Sequence, residues 1–250
     1  MALRLEKSGP VARLLIDRPE ARNAINMAMW EAFPALIAEA EDDPVVRVLE
    51  LRGAEGAGAF CAGADIKEML DKSQDMSWRE AHQAEINRVQ SQLARVKVPT
   101  VAFVDGDCVG AGCGLALACD LRVATPRARF GITPGKLGLV YPFHDIKLLV
   151  DLVGPGQAKR ILYTGTLLDA DEARRIGLIE IFSEDSSDLI SQILATSTHS
   201  AIENKRFIRR VLDGQAEDDT HTLGVFEAAF TGEDFAEGSR AFVEKRAPKF

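Results

Sequence analysis

The hydrophobic positions in the first part of the chain alternate between strand-like and helix-like spacing. Three aliphatic runs are typical of buried strands: 11–17, 45–53 and 100–106. Between them, apolar residues three and four positions apart predict amphipathic helices over 25–43 and 77–96. Pro34 lies inside the first helical pattern, so we expect a kink or a later helix start there. Strands that alternate with helices predict an α/β fold.

The second part of the chain has a different pattern. Residues 121–131, LRVATPRARFG, predict a further short pair of strands. From Asp145 onward the spacing is mostly helical, and glycines end three helical stretches: Gly154, Gly165 and Gly177. Strand signals are few near the C-terminus. We therefore expect a core domain over 1–190 and a helical region over 191–250.

Two segments share one order of features. Residues 45–70 and 100–120 each read as a strand, a loop of Gly and Ala, and a helix. The N-terminus of a helix carries unpaired backbone N–H groups at the positive end of the helix dipole. Two such ends that face one another would form a cradle for a negatively charged oxygen. The alternative is that the small residues of 105–120, DGDCVGAGCGLALACD, only pack a helix tightly against a sheet.

Composition limits the classes of function. The 250 residues, 46% of them hydrophobic, suit one globular domain of upper-normal size. No apolar stretch reaches the length of a membrane span, and the first residues lack the apolar core of a signal peptide. A cytoplasmic protein without membrane association is therefore expected. The net charge of −8 argues against a general nucleic-acid-binding protein.

Common nucleotide and metal motifs are incomplete in this chain. GAGCG lacks the GxGxxG spacing of dinucleotide sites, and Gly135-Lys136 is followed by Leu137, which breaks the phosphate-loop pattern. The four cysteines form no CxxC pair and have no nearby histidine at metal-ligand spacing. We predict buried hydrophobic cysteines and no metal site.

Five motifs in order along the chain resemble the enoyl-CoA hydratase/isomerase, or crotonase, superfamily. They are AFCAGADIKEM (59–69), PTVAFVDGDCVGAGCGLALACDLRVA (99–124), FGITPGKLGL (130–139), LLDADEARRIGLI (167–179) and EGSRAFVEKRAPKF (237–250). The resemblance implies a crotonase-like spiral of β-β-α units with a C-terminal helical trimerisation region. It also implies homo-oligomers, trimers or hexamers, that act on acyl-CoA thioesters. Coenzyme A would enter as part of the substrate, with no separate cofactor.

The same resemblance assigns site residues. The N–H groups of Ala64 and Ala111 would hold the thioester carbonyl as it becomes an enolate. Further positions match the coenzyme A site of the family: Ala62, Ala64, Asp65, Ile66, Lys67 and Lys245. Among these, Lys245 would reach the phosphates, often across a subunit boundary. For Lys67 and Lys245 a solvated surface charge is the alternative.

The chain departs from the family at the two carboxylates that hold and activate water in hydratases. Their positions carry Gly114 and Pro134. Neither residue can act as a base, which weakens an ordinary hydratase reaction. Downstream, Tyr141 resembles the tyrosine of methylmalonyl-CoA decarboxylase-type members and can donate a hydrogen bond or pass a proton. A core tyrosine with a satisfied hydroxyl is the alternative.

Other titratable side chains nearby have competing structural interpretations. His144 and Asp145 could form an acid/base pair, but Asp145 also suits a helix N-cap, which we expect instead. His82 and Glu85 could line the acyl site, although exposed helix positions are favoured for both. Cys113 has no neighbouring cation that would activate it, so we place it in the core.

The absence of both carboxylates favours a reaction that needs no base. Decarboxylation of a malonyl- or methylmalonyl-CoA-like thioester reaches the enolate by loss of carbon dioxide, so it is the leading hypothesis. The alternative is an enoyl-CoA hydratase or isomerase with an unconventional base: His144, Asp145 or His82. From another class, the chain could be a non-catalytic acyl-CoA-binding subunit.

Overall fold

Ten strands form two sheets in the computed structural model, which describes residues 2–250. In chain order they are β1 (Leu3–Ser8), β2 (Val11–Ile16), β3 (Val48–Gly53), β4 (Ala59–Cys61), β5 (Thr100–Val104), β6 (Asp107–Val109), β7 (Leu121–Ala124), β8 (Arg129–Gly131), β9 (Leu168–Asp169) and β10 (Ile181–Phe182). The larger sheet has the order β1-β2-β3-β5-β7-β10 and is parallel apart from the β1–β2 pair. The smaller sheet has the order β4-β6-β8-β9 and is parallel apart from the β8–β9 pair.

Ten α-helices accompany these sheets. They are α1 (Met27–Glu41), α2 (Ile66–Asp71), α3 (Met76–Arg95), α4 (Ala111–Ala118), α5 (Phe143–Thr164), α6 (Ala170–Arg175), α7 (Ser187–Leu194), α8 (Thr198–Leu212), α9 (Thr220–Ala229) and α10 (Glu233–Glu244). Polar caps account for the starts of α1 and α3. The side chain of Asn26 accepts a hydrogen bond from the Met29 N–H, and that of Asp75 accepts one from the Trp78 N–H.

Three consecutive β-β-α units build the core of the fold. They are β3-β4-α2, β5-β6-α4 and β7-β8-α5. In each unit the first strand joins the larger sheet and the second strand joins the smaller one. The strand–loop–helix order seen in two segments of the sequence therefore occurs a third time, in β7-β8-α5. The expected α/β spiral of β-β-α units is confirmed.

Hydrophobic side chains cover both faces of the larger sheet, as expected for strands that are parallel and central. On one face, Trp30 and Phe33 of α1 and Leu93 of α3 are buried in the main core. On the other face, Val48 of β3 packs in a smaller cluster with Ile190 of α7. The boundary expected between 190 and 191 falls within α7, so this helix belongs to the packing of the sheet.

Several details of the predicted elements need correction. The helix α1 begins at Met27 and continues through Pro34, so a later start at the proline is wrong. The strand β1 was not predicted, because LRLEKS buries little of its surface and gives a weak apolar signal. The two helical stretches separated by Gly154 form one element that is interrupted there, at φ +74°. Within residues 2–250, no helix is both long enough and apolar enough to cross a membrane.

Candidate active site

A cavity of about 510 Å³ lies where the loops after β4 and β6 approach α3 and the beginning of α5. The polar and backbone groups that line it come from four separate segments of the chain. The lining residues of interest are Ala62, Ala64, His82, Gln90, Ala111, Pro134, Tyr141 and Asp145. Ala64 and Ala111, which are expected to supply the backbone donors, therefore line the same cavity as the candidate acid/base residues His82, Tyr141 and Asp145.

The backbone N–H of Ala64 takes no part in the hydrogen bonds that its neighbours form with Ile25. Ile25 donates its N–H to the Gly63 carbonyl at 2.8 Å, and Asp65 donates its N–H to the Ile25 carbonyl at 2.8 Å. This short parallel bridge uses the residues on either side of Ala64 and turns its own N–H away from the partner strand. Ala111 is the first residue of α4, so its N–H has no acceptor within the helix.

Glycines allow the two loops to touch. Gly110, the residue before α4, has φ +53° and ψ −111°, a conformation that a side chain would oppose. A Cβ on Gly63 would lie 3.3 Å from the Val109 carbonyl oxygen, and a Cβ on Gly112 would lie 2.5 Å from the Cys61 carbonyl oxygen. The small residues of this stretch thus bring the end of β4 against the start of α4. This contact puts the donors of Ala64 and Ala111 on adjoining parts of the cavity wall.

Asp145 occupies the space that faces Gly114. A Cβ on Gly114 would lie 2.7 Å from Asp145 Oδ2 and 2.3 Å from Gln90 Nε2. Asp145 is 1% exposed and lies in the first turn of α5, whose N-cap is Pro142. The prediction that Asp145 caps a helix is therefore wrong. Asp145 thus brings a carboxyl group from α5 to the space in front of Gly114.

The surroundings of Asp145 favour its protonated form. Burial raises the pKa of Asp145, and the neighbouring side chains of His144, Gln90 and Tyr141 lower it by less. Its Oδ1 lies 3.7 Å from His144 Nδ1, too far for a hydrogen bond. Within residues 2–250, Oδ1 has no hydrogen-bond partner. A buried carboxyl group with a raised pKa is a stronger base than a surface aspartate and can return the proton that it takes up.

Tyr141 contacts the backbone next to one of the donors. Its hydroxyl donates a hydrogen bond of 3.0 Å to the carbonyl oxygen of Gly110. That carbonyl belongs to the same planar peptide group as the N–H of Ala111, and the two point in opposite directions. Burial, followed by the charge of Asp145, raises the pKa of Tyr141 well above its usual value, so the hydroxyl keeps its proton. The observed contact favours a role of Tyr141 in orienting the Ala111 donor.

His82 lies inside the cavity, against the expectation of an exposed helix position. It is 8% exposed and stacks on Trp78 with ring centroids 4.6 Å apart. Burial lowers the pKa of His82, which keeps its imidazole neutral near pH 7. Glu85, its companion in the sequence interpretation, forms an ion pair of 3.4 Å with Arg88 instead. Glu85 lies one turn further along the same side of α3, and its side chain is 21% exposed.

Some of the residues expected to bind coenzyme A line this cavity, and others do not. Ala62 and Ile66 line it, and the Ala62 N–H donates to the Arg22 carbonyl at 3.0 Å. Asp65 caps α2 through the N–H groups of Lys67 and Glu68 and pairs with Arg18 at 2.7 Å. Lys67 is exposed. Lys245 ends α10 and is not part of the cavity lining among residues 2–250.

The cysteines follow the prediction of core packing. All four are buried: Cys61, Cys108, Cys113 and Cys119. Burial raises the pKa of Cys61 and of Cys119 to about 12, so neither thiol is a thiolate near neutral pH. No group of three or more potential metal-ligating side chains occurs within residues 2–250.

Gln90 is a cavity residue that the sequence interpretation missed. It lies on α3 eight positions after His82, so both project from the same face of the helix, and it is 0% exposed. A signal was available, since a glutamine beside Val89 interrupts the apolar positions of the helical pattern. Nothing in the pattern alone distinguished that position from a solvent-facing glutamine.

Known proteins match the sequence and the fold of this chain. A sequence profile of the enoyl-CoA hydratase/isomerase family matches residues 6–250. The chain belongs to this family. A short-chain-enoyl-CoA hydratase of Clostridium acetobutylicum is 36% identical over 253 residues, which cover 97% of this chain and 94% of that protein. A crotonyl-CoA hydratase of Syntrophomonas wolfei is 33% identical over 256 residues, which cover 98% and 96%.

Solved structures of the enoyl-CoA hydratase/isomerase family agree with the architecture. A family protein from Hyphomonas neptunium has a TM-score of 0.95 and 39% sequence identity, with 100% of this chain and 97% of that chain covered. An enoyl-CoA hydratase from Bacillus anthracis has a TM-score of 0.90 at 26% identity, with 100% and 99% covered. The chain is thus a member of an acyl-CoA enzyme family with the crotonase fold. Its reaction depends on the residues in its own cavity.

Proposed function

We propose that this chain catalyses the reversible addition of water to a short-chain enoyl-CoA thioester, with Asp145 as base and acid. The observation that carries the proposal is the buried Asp145 carboxyl group, which faces Gly114 in the cavity of Ala64 and Ala111. The hydratase names of the similar proteins from Clostridium and Syntrophomonas support the same reaction. This favours the hydratase alternative over the decarboxylase hypothesis drawn from Gly114 and Pro134 alone.

The proposed reaction needs one carboxyl group and two backbone donors. Asp145 takes a proton from water while the water oxygen forms a bond to C3 of the enoyl group. The π electron pair of the C2=C3 bond forms a C1=C2 bond, and the π pair of the carbonyl moves onto the thioester oxygen, where the N–H groups of Ala64 and Ala111 stabilise the enolate. Asp145 then returns the proton to C2: the C1=C2 π pair forms the new C–H bond, and the carbonyl double bond forms again. The atoms of one water molecule are thereby added across the double bond.

The base and the backbone donors of the cavity each contribute to the rate of the proposed reaction. A positioned general base typically contributes about 10²- to 10⁴-fold in rate. One backbone donor to an oxyanion contributes about 10²- to 10³-fold in kcat. Tyr141 supports the second effect, because its bond to the Gly110 carbonyl fixes the peptide that carries the Ala111 N–H. The two effects act on opposite ends of the same enone system.

The coenzyme A moiety of the substrate would lie along the loop after β4. The backbone of residues 62–66, with Ala62 and Ile66 in the cavity wall, would contact the adenine end, and Lys67 lies exposed beside it. Lys245 is exposed at the end of α10, and we propose that it reaches the phosphates of coenzyme A bound to a neighbouring subunit. Asp65 would act through the backbone, since its carboxylate is already held by Arg18.

We propose that the C-terminal helices assemble the chain into a trimer or a pair of trimers. Phe226, Phe230 and Phe235 form consecutive edge contacts with centroids 5.5 and 5.4 Å apart. Each of the three rings is at least half exposed in the single chain. Contiguous exposed aromatic rings are typical of protein–protein contacts.

The reaction is tested with crotonyl-CoA and purified protein. Loss of the enoyl absorbance, with a product of one added water by mass spectrometry, supports the proposal. Asp145→Asn keeps the shape of the side chain and is expected to lower kcat by about 10²- to 10⁴-fold. Asp171→Asn, a surface change on α6, serves as the matched control. Wild-type protein that leaves crotonyl-CoA unchanged contradicts the proposal, and tight binding without turnover points to a binding subunit.

Decarboxylation is the second candidate, favoured by Gly114 and Pro134. These positions bring no carboxylate to the cavity, and a protonated Asp145 would donate a hydrogen bond to a substrate carboxylate or a proton to C2. Incubation with malonyl-CoA and methylmalonyl-CoA, with carbon dioxide release as the readout, tests it. Isomerisation of a 3-enoyl-CoA would need the same single carboxyl group. It leaves the mass of the thioester unchanged and is read from the appearance of the enoyl absorbance.

A further inference from the structure

Gln90 is a buried amide in the cavity wall. It is 0% exposed, and within residues 2–250 neither its Oε1 nor its Nε2 has a hydrogen-bond partner. Buried polar groups are nearly always hydrogen-bonded, because the loss of their hydration is otherwise uncompensated. An unpaired glutamine that lines a substrate cavity therefore points to a partner that arrives with the reaction.

The amide of Gln90 and the carboxyl group of Asp145 both lie against Gly114. Gln90 Nε2 lies 2.3 Å, and Asp145 Oδ2 2.7 Å, from the position of a Cβ on Gly114. These two side chains come from different helices, α3 and α5, and converge over the first turns of α4. The second polar atom of each group, Gln90 Oε1 or Asp145 Oδ1, is also buried and has no hydrogen-bond partner within residues 2–250.

We infer that Gln90 holds the reacting water against Asp145, and that position 114 is glycine because these two side chains occupy the space of a larger residue. The inference rests on the proposed hydratase function and names a second residue for it. The neutral amide of Gln90 thus does the work of a second water-binding carboxylate.

In the proposed arrangement, the site offers one acceptor for each hydrogen atom of a water molecule. The water donates one hydrogen to Asp145 Oδ1 and the other to Gln90 Oε1, and a lone pair of its oxygen faces C3. As the O–C3 bond forms, the first O–H bond breaks and its proton passes to Asp145. The second hydrogen stays on the product hydroxyl, which keeps its bond to Gln90. Gln90 Nε2 and Asp145 Oδ2 lie on either side of the space in front of Gly114.

Replacement of Gln90 is the direct test. Gln90→Leu is expected to lower kcat for crotonyl-CoA by about 10- to 100-fold, the range of one hydrogen bond to a reacting group. KM changes little, since Gln90 holds the reacting water and does not contact the coenzyme A moiety. Gln92→Leu removes an amide from the same helix outside the cavity and serves as the control.

The pH profile separates this role from simple packing. Gln90 lowers the pKa of Asp145, so its removal moves the acid limb of kcat/KM to higher pH. His144, His82 and Tyr141 also face this carboxylate or its cavity and remain in the variant. A carbon-13 NMR titration of the Asp145 carboxyl group measures the same shift without substrate.

Gly114→Ala provides an independent variant in which both polar groups are kept. The added methyl group would displace the ends of Gln90 and Asp145, so kcat falls while circular dichroism shows a folded chain. Wild-type kcat and an unmoved acid limb in Gln90→Leu overturn the inference while the proposed function stands. Wild-type protein without hydratase activity overturns both, and that outcome is seen before any variant is made.

Discussion

At the scale of single residues, Asp145 shows how burial and catalysis compete. Its side chain is 1% exposed, so the charged form lacks hydration. Burial raises its pKa, and the polar groups of His144 and Gln90 offset only part of this effect. A carboxyl group in such surroundings is a better proton carrier than a surface aspartate and a weaker contributor to folding.

The stability of the chain is expected to fall with pH because of Asp145. Its pKa is higher in the folded chain than in the unfolded chain, so between the two values the folded chain binds more protons. The free energy of unfolding therefore decreases as pH rises from the ordinary aspartate value, about 4, through the raised value. Asp145→Asn removes this decrease and gains stability relative to wild type as pH rises. Denaturation with urea across this range measures it, and a constant difference between the two proteins argues against the burial effect.

Tyr141→Phe tests the orientation of the Ala111 donor. Loss of the hydroxyl removes one hydrogen bond to the Gly110 carbonyl while the ring remains in the core. We expect kcat for crotonyl-CoA to fall by about 3- to 10-fold, the value of one neutral hydrogen bond, with little change in its pH profile. A loss above a thousandfold would indicate instead that Tyr141 itself transfers the proton.

At the scale of elements, the start of α4 is set by its distance from the end of β4. Gly112 is buried in α4, and a Cβ there would lie 2.5 Å from the Cys61 carbonyl oxygen, which is backbone and cannot rotate away. The pairing of β4 with β6 keeps the two loops at the same edge of the smaller sheet. Small residues in this helix are thus a condition for the paired donors.

Gly112→Ala is expected to separate the two donor loops. The added methyl group forces a shift between α4 and β4, which lowers stability by about 1–3 kcal/mol. We expect kcat to fall by about 10²-fold, as for loss of one oxyanion donor. Gly156→Ala is the control, since a Cβ there meets no atom within 4 Å. Equal kinetics in the two variants would rule out close loop contact as a requirement.

At the scale of the whole molecule, one arginine joins three elements. Arg122 of β7 is 3% exposed, donates to the Cys119 and Leu178 carbonyls at 2.9 Å each, and pairs with Glu180. These contacts hold the end of α4 to the segment before β10. The orientation of α4, and with it the Ala111 donor, is therefore tied to the far end of the sheet.

Arg122→Met is expected to destabilise the chain strongly. Loss of the guanidinium leaves the Cys119 and Leu178 carbonyls without these bonds, while Glu180 keeps only its bond from the backbone N–H of residue 122. The free energy of unfolding therefore falls by about 3 kcal/mol. Urea denaturation monitored by tryptophan fluorescence measures the change. Arg174→Met, at an exposed position of α6, serves as the control, and similar midpoints for both variants would contradict the role of Arg122.

Assembly through the C-terminal helices has its own test. Light scattering coupled to size-exclusion chromatography should give a mass of three or six times 27.2 kDa. Phe230→Glu puts a charge in the middle of the aromatic contacts and is expected to shift the protein toward the monomer. Val45→Glu, an exposed change far from these helices in the chain, keeps the mass of the wild type. A monomeric wild-type protein would exclude this interface.

The residues themselves determined much of the fold and half of the site. Hydrophobic spacing located α1, α3 and the central strands within a few residues, because buried parallel strands and amphipathic helices have distinct periods. The small residues of 105–120 indicated the start of a helix that another part of the backbone can approach closely. Short edge strands such as β1 and β9 escaped prediction, since their few residues carry too little apolar pattern.

The rest depended on tertiary structure, because side chains from distant segments converge only after folding. By sequence, Gly114 signified a lost acid and Asp145 a helix cap. Folding places these two residues and Gln90 at one point, so the carboxylate is supplied from α5 and the glycine makes room for it. Local patterns determine the period and ends of an element, whereas the packing of α3, α4 and α5 decides which polar groups share a cavity.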